Sequence, residues 1–374
     1  MNRKIYIAFA AALTMFAACS EHPIDPVPQV PDSSHSYIFF EPEVVETVTT
    51  RGTENTKYLS EYAPGKSFGV LGVYGTTQLF KPTNSSTGIA EVSPVNGVYT
   101  YSPLETWKSK DGSHTFYAFF PYDDLASKVK IEEASVNAAK TGIPYVEYSI
   151  NDNIDVISDC VLTSKTATGI VEFELEHRLS GLVLEVVNNQ SNNSYNPNNP
   201  GNLDNPATEE NEHLDPLLTI VSAKLTITNI PSTGKLYLDG TPYVSTRISE
   251  PKEYDLHTTA MSEVTLGKKD SQTSTHTFNP VLLFPTAVLV DAAVTPNTKV
   301  QYRLDFKFKN AWGVQYDFSY PATANTYDDF AVSTFAAGNL YKLTVKKKDD
   351  GTFEVSTSSA LGWDTHPDIS HTFN

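Results

Sequence analysis

Hydrophobic and polar residues alternate along most of this chain. In "YRLDFKF", Tyr302, Leu304, Phe306 and Phe308 fall on one side and Arg303, Asp305 and Lys307 on the other. "IVEFELEH" sets Val171, Phe173 and Leu175 against Glu172, Glu174 and Glu176. "LYKLTVKKK" sets Tyr341, Leu343 and Val345 against Lys342, Thr344 and Lys346, and "AKLTITNI" sets Leu225 and Ile227 against Lys224, Thr226 and Thr228. Successive side chains on a strand point to opposite faces, so period two repeated this often predicts sheets with one dry and one wet face. Residues 123–140, "DDLASKVKIEEASVNAAK", depart from the pattern and predict a short helix.

Three stretches escape the alternation for other reasons. Residues 5–16, "IYIAFAAALTMF", are an unbroken apolar run behind Arg3 and Lys4. The run has the length of a secretory signal core and is too short to span a bilayer. Ala17 and Ala18 are small, and Cys19 follows them directly. This is the pattern of a bacterial lipoprotein signal, in which a diacylglyceryl group is attached to the thiol and the cysteine becomes the first residue. The expectation is a signal peptide over 1–18 and lipidation at Cys19, with two or three acyl chains giving a stable anchor. Residues 19–36 carry four prolines and no apolar period, which predicts an extended tether between lipid and folded body. Cys160, the chain's other cysteine, then has no disulfide partner and is expected to be a buried, lone thiol. Residues 188–215, rich in Asn and Pro, hold too few apolar groups to offset the entropy of ordering. They read as an interdomain linker or a long hairpin insertion. The linker reading divides the body into 37–190 and 216–374, joined by 191–215.

Charge and composition narrow the chemistry. The formal net charge is −17, scattered and without a basic stripe, which argues against a nucleic-acid or anionic-lipid ligand. Abundant Tyr and Phe with recurrent Pro and Gly fit an all-β chain with many turns. The sequence holds no His-x-x-x-His pair, no glycine-rich phosphate loop and no Cys-x-x-Cys. His177 closes an alternating strand and reads as a hydrogen-bonded sheet histidine. Asp152, Asp155 and Asp159 in "NDNIDVISD" lack the spacing and terminal Glu of an EF-hand, so a solvated turn is expected there. No carboxylate pair can be assigned to acid/base work from spacing. No catalytic residue, metal site or cofactor is expected.

Six motifs occur in order: "HTFYAFFPYDD" (114–124), "SDCVLTS" (158–164), "VEFELEHRLSGLVLEV" (171–186), "LTITNIPSTGKLYLDG" (225–240), "LLFPT" (282–286) and "FAAGNLYKLTVKKK" (335–348). From about residue 37 onward the chain resembles the fimbrillin family, surface lipoproteins that build type V pili in anaerobic gut and oral bacteria. The resemblance implies an all-β fold of two tandem transthyretin-like β-sandwich domains. It also implies lipid anchoring at the outer membrane surface, then cleavage by an arginine-specific protease that removes the first strand. An extended segment of a neighbouring subunit fills the vacated groove, since an opened sheet edge is a template for strand addition. The matching position here is Arg51-Gly52, behind the β-rich "YIFF" and "VVETVTT" and the only arginine between Arg3 and Arg178. A subunit never cut there would keep Cys19 as its membrane attachment. The expected partners are other fimbrial subunits, the outer membrane through the lipid, and a surface glycan or protein ligand. The alternative is a non-polymerising surface lipoprotein that binds glycans, with Trp107, Trp312 or Trp363 stacking on sugar rings.

Overall fold

The alternating segments fold as strands in a computed structural model that describes residues 37–48, 54–80, 87–109, 111–133, 142–164, 169–190, 217–247, 251–267, 271–285, 299–310, 313–330 and 335–361. Among these residues there are four sheets. The nine-stranded first sheet runs Glu54–Tyr58 (β2), Phe39–Val48 (β1), Ile170–His177 (β11), Ile157–Thr163 (β10), His114–Phe120 (β7), Phe68–Tyr74 (β3), Ile89–Val95 (β5), Val98–Thr100 (β6), with Thr77–Gln78 (β4) also on β3. The second runs Thr275–Thr277 (β18), Ser180–Asn188 (β12), Leu340–Lys347 (β23), Phe353–Leu361 (β24), with Val281–Leu283 (β19) also on β12. The third runs Lys252–His257 (β16), Leu218–Thr228 (β13), Gln301–Lys309 (β20), Gln315–Tyr320 (β21), with Val264–Leu266 (β17) on β13 and Asp328–Asp329 (β22) on β20. The fourth runs Pro242–Arg247 (β15), Pro231–Tyr237 (β14), Pro144–Ser149 (β9), Val129–Ile131 (β8). The protein is all-β, as its alternation implies.

Burial follows the sequence pattern. Tyr302, Leu304, Phe306 and Phe308 of β20 are buried, as are Val171, Phe173 and Leu175 of β11. Along β23 the inward series Tyr341, Leu343, Val345 continues into Lys347, which is wholly buried. The β5–β6 hairpin turns on Asn96 and Gly97, both at positive φ (52° and 79°), the geometry of a two-residue turn whose twist suits the flanking strands.

The helix expected over 123–140 is not present over its described part. A single turn, Tyr122–Leu125 (α2), matches the one-turn Leu59–Tyr62 (α1), and the chain then enters β8. Val129 and Ile131 are β-branched, and pairing of β8 with β9 (Val129 opposite Val146) outweighs the local helical spacing. Residues 134–140 lie outside the described residues.

Two core clusters result. One lies under the first sheet and is rich in aromatic rings, among them Phe40, Phe68, Phe116 and Phe173. The other joins the remaining three sheets through residues such as Leu182, Ile220, Leu304 and Leu236, and includes Leu71, Ile89 and Phe119 of the first sheet. Only Arg178 and Leu179 separate β11 from β12, so the chain passes from the first sheet straight into the second. Asn188 and Gln190, at the start of the Asn/Pro-rich stretch, are buried, and the 191–215 linker expectation falls outside the described residues. The fourth sheet draws β8 and β9 from the first half of the chain and β14 and β15 from the second. It is fastened by Glu132, whose carboxylate accepts Lys235 Nζ at 2.7 and 3.0 Å and the Tyr237 hydroxyl at 2.6 Å. Burial pushes this carboxyl up, but the two hydrogen bonds and the lysine charge outweigh it and hold it below the usual carboxylate value.

Candidate functional site: the groove filled by the first strand

β1 is an internal strand. It pairs in parallel with β11 from Phe39 opposite Ile170 to Val45 opposite Glu176. On its other side it pairs antiparallel with β2, with a register shift between Val45 and Thr47. Its start is clamped from a third direction. Tyr37 bridges Thr106, Ile38 N–H donates to Glu105 O at 3.0 Å, and Phe39 N–H donates to Gly169 O at 2.9 Å. The Tyr101 hydroxyl donates to Ile38 O at 3.1 Å. Gly169 permits this approach because it sits at φ +73° and a Cβ there would lie 2.6 Å from Tyr37 O.

The inner face of β1 plugs the aromatic core. Ile38 and Val44 are fully buried, and Phe40 is 5% exposed. The Phe40 ring lies 5.4 Å from Tyr101, 5.7 Å from Phe116, 5.7 Å from Phe173 and 6.2 Å from Phe80, centroid to centroid. Together these three apolar side chains contribute about 4.5–9 kcal/mol before ordering costs; Val45, also buried, lies in phase with Glu41 and Glu43. Pro42, registered with Phe173, offers no N–H to either neighbour.

The outer face is electrostatically different. The parallel register sets Glu41 opposite Glu172 and Glu43 opposite Glu174. Burial, then the charges of Glu172 and Glu43, push the Glu41 carboxyl above its usual value. Across β1, β2 sets Lys57 opposite Val44 and Tyr58 opposite Glu43. On β11, Glu176 is bound by Arg178 Nη1 at 2.8 Å, and Arg178 also holds Ser158 through Nε and Nη2.

Cys19, Arg51 and Gly52 lie outside the described residues. In sequence, Arg51-Gly52 falls in the five-residue interval 49–53 between β1 and β2. Cys160 lies on β10 opposite Tyr117, is unpaired and half-buried, and burial pushes its thiol up to about 11. Trp107 is a core residue, edge-on to His114 at 4.9 Å and Phe116 at 5.7 Å, so it offers no platform to a sugar. Trp312 and Trp363 are outside the described residues. His177 is the sheet histidine expected, with Nδ1 2.7 Å from Asp155 Oδ2.

The three aspartates are dispersed. Asp152 pairs with Lys128, Asp155 with His177, and Asp159 accepts the Cys160 and Glu174 N–H groups. Among the described residues no group of three or more His, Cys, Asp or Glu side chains is placed to hold a metal, and no helix is long and apolar enough to cross a membrane.

Sequence reasoning missed several buried polar groups, among them Glu132 and His114. His114 sits between Gly112 O (2.9 Å from Nδ1) and the Lys108 N–H, which donates to Nε2 at 3.2 Å. Its only sequence signal was its place in phase with the buried Phe116.

No curated relative matches the sequence. Among solved structures, a fimbrial protein from Bacteroides vulgatus is similar at 13% identity, covering 87% of this chain and 99% of that one, with a TM-score of 0.49. The tip fimbrial protein Mfa3 from Porphyromonas gingivalis is similar at 12% identity, covering 87% of this chain and 100% of that one, TM-score 0.34. The fimbrial anchor protein Mfa2 from the same organism is similar at 13% identity, covering 87% and 98%, TM-score 0.32. A family model described as fimbrillin-like matches residues 50–363, most of the chain, and the chain therefore belongs to the fimbrillin-like family.

Proposed function

We propose that this protein is a fimbrial subunit, exported as a lipoprotein acylated on Cys19, and that β1 is its exchangeable strand. The observation that carries the reading is the position of β1. It lies inside the sheet between β11 and β2, fills a groove with buried apolar side chains, and is followed within five residues by β2. A cut after Arg51 leaves β1 joined to the body by non-covalent contacts alone. Its departure would bare the hydrogen-bonding edges of β11 and β2 and the pockets of Ile38, Phe40 and Val44. Such an edge captures an extended segment of another subunit through main-chain hydrogen bonds and side-chain insertion. The division into two transthyretin-like sandwiches belongs to the same reading, as does attachment to the outer membrane before processing.

The test begins with purified precursor treated with an arginine-specific protease. A new N-terminus at Gly52 and laddered, detergent-resistant oligomers are expected for the wild type and not for Arg51→Ala. A cut chain that stays a stable monomer with β1 still in place would refute strand exchange. Cys19→Ala should abolish detergent-phase partitioning of the precursor, and lipid partitioning by that variant would remove the lipoprotein assignment.

A further inference from the structure

We infer that the groove between β11 and β2 is matched to an extended segment of a second polypeptide with apolar residues at alternate positions and Lys or Arg between them, and that β1 is a charge-mismatched occupant. The inference rests on the strand-exchange reading and adds the chemistry of the partner. β11 presents Glu172, Glu174 and Glu176 on its exposed face. The resident strand answers the first two with Glu41 and Glu43, in direct register. Like charges directly opposite one another weaken a strand pair, whereas opposite charges strengthen it. The Glu41 carboxyl is pushed up chiefly by burial, and next by the charge of Glu172, which is the cross-strand repulsion felt at a single group. Pro42, between the two glutamates, withholds a ladder hydrogen bond as well.

The chain carries its own control. β12 and β23 also pair in parallel, Gly181 opposite Leu340 through Asn188 opposite Lys347. There the charges match, with Lys342 Nζ 3.1 Å from Glu185 Oε1 and Thr344 registered with Glu185. Inward Tyr341, Leu343 and Val345 alternate with Lys342, Thr344 and Lys346, the same alternation inferred for the partner segment, here beside the single Glu185 of β12. Two parallel pairs in one molecule thus differ in electrostatic fit. The mismatched one is the pair that strand exchange would break.

The experiment is a charge-reversal cycle on the uncut, full-length chain, read by hydrogen exchange of the β1 amides at low salt. E41K/E43K should slow exchange in β1 by about 2- to 30-fold relative to wild type. E172K/E174K should slow it similarly, and the four substitutions together should return it to the wild-type rate or faster. The differences should shrink at high salt. Unchanged exchange in β12 and β23 certifies the fold. Should a lysine variant fail that check, E41Q/E43Q decides, since removing the repulsion must still slow β1 exchange. Wild-type or faster exchange in E41K/E43K, or simple additivity of the four substitutions, overturns the inference. Because the chain is never cut, these results are independent of whether Arg51 is processed or oligomers form.

Discussion

Replacing Phe40 by Ala probes the grip on β1 directly. The ring is 5% exposed and contacts four aromatic partners, from β7, β11 and the segments after β4 and β6. A buried Phe→Ala change costs about 3–5 kcal/mol, the lost transfer energy plus a cavity that partners relax into only partly. Two of the four neighbours, Phe116 and Phe173, are rings on strands held by other pairings, so collapse around the cavity should be limited. The cost falls on one strand whose other attachments are few: a parallel ladder to β11, a bulged ladder to β2, and the clamp at residues 37–39. Opening of β1 should therefore become about 150- to 4,000-fold more frequent, while the second sheet keeps the core it shares with the third and fourth. Native-state hydrogen exchange resolves this, with a peptide over β1 compared with peptides over β12 and β23. Phe40→Leu, which refills much of the volume, should cost less than about 1.5 kcal/mol. Acceleration of β1 by less than about tenfold in Phe40→Ala would refute the reasoning, because it would mean the ring supplies less than about 1.4 kcal/mol. Equal acceleration in β12 and β23 would also refute it, by showing that β1 opens only with the whole molecule.

Three further outcomes follow from buried polar groups. Lys235→Met strands the Glu132 carboxylate, 1% exposed, and should cost about 3–5 kcal/mol in urea unfolding; a loss under about 1 kcal/mol would show that the ion pair does not fasten the fourth sheet. Burial holds the His114 imidazole below its ordinary 6.5, so its contribution is complete above that pH and is lost as pH falls through the lower folded value. Unfolding free energy should therefore fall more steeply from about pH 7.5 to about pH 5 in the wild type than in His114→Gln, and parallel curves would exclude His114 as a source. Cys160, with its thiol pushed up to about 11, should alkylate slowly in the folded protein near neutral pH and rapidly once denatured; equal rates would mean the thiol is neither shielded nor protonated as described.

Much of the fold was legible residue by residue. Side-chain period is a property of a strand's own sequence, so "YRLDFKF", "IVEFELEH" and "LYKLTVKKK" declared both strand and buried face before any partner was known, and "YIFFEPEVVETV" read as β-rich. Partner choice is not local. That β1 lies inside a sheet, that β12 runs parallel to β23, and that β9 crosses to β14 depend on which edges meet once loop entropy has been overcome. The helical spacing in 123–140 gave way for that reason, since β8 gained the ladder of β9. The glutamate row of β11 was visible as a polar face, but its opposition to Glu41 and Glu43 required the parallel register, in which a one-residue slip would turn every side chain to the other face. The sequence determined which residues face the core; only the tertiary structure decided which strands, and therefore which charges, stand side by side.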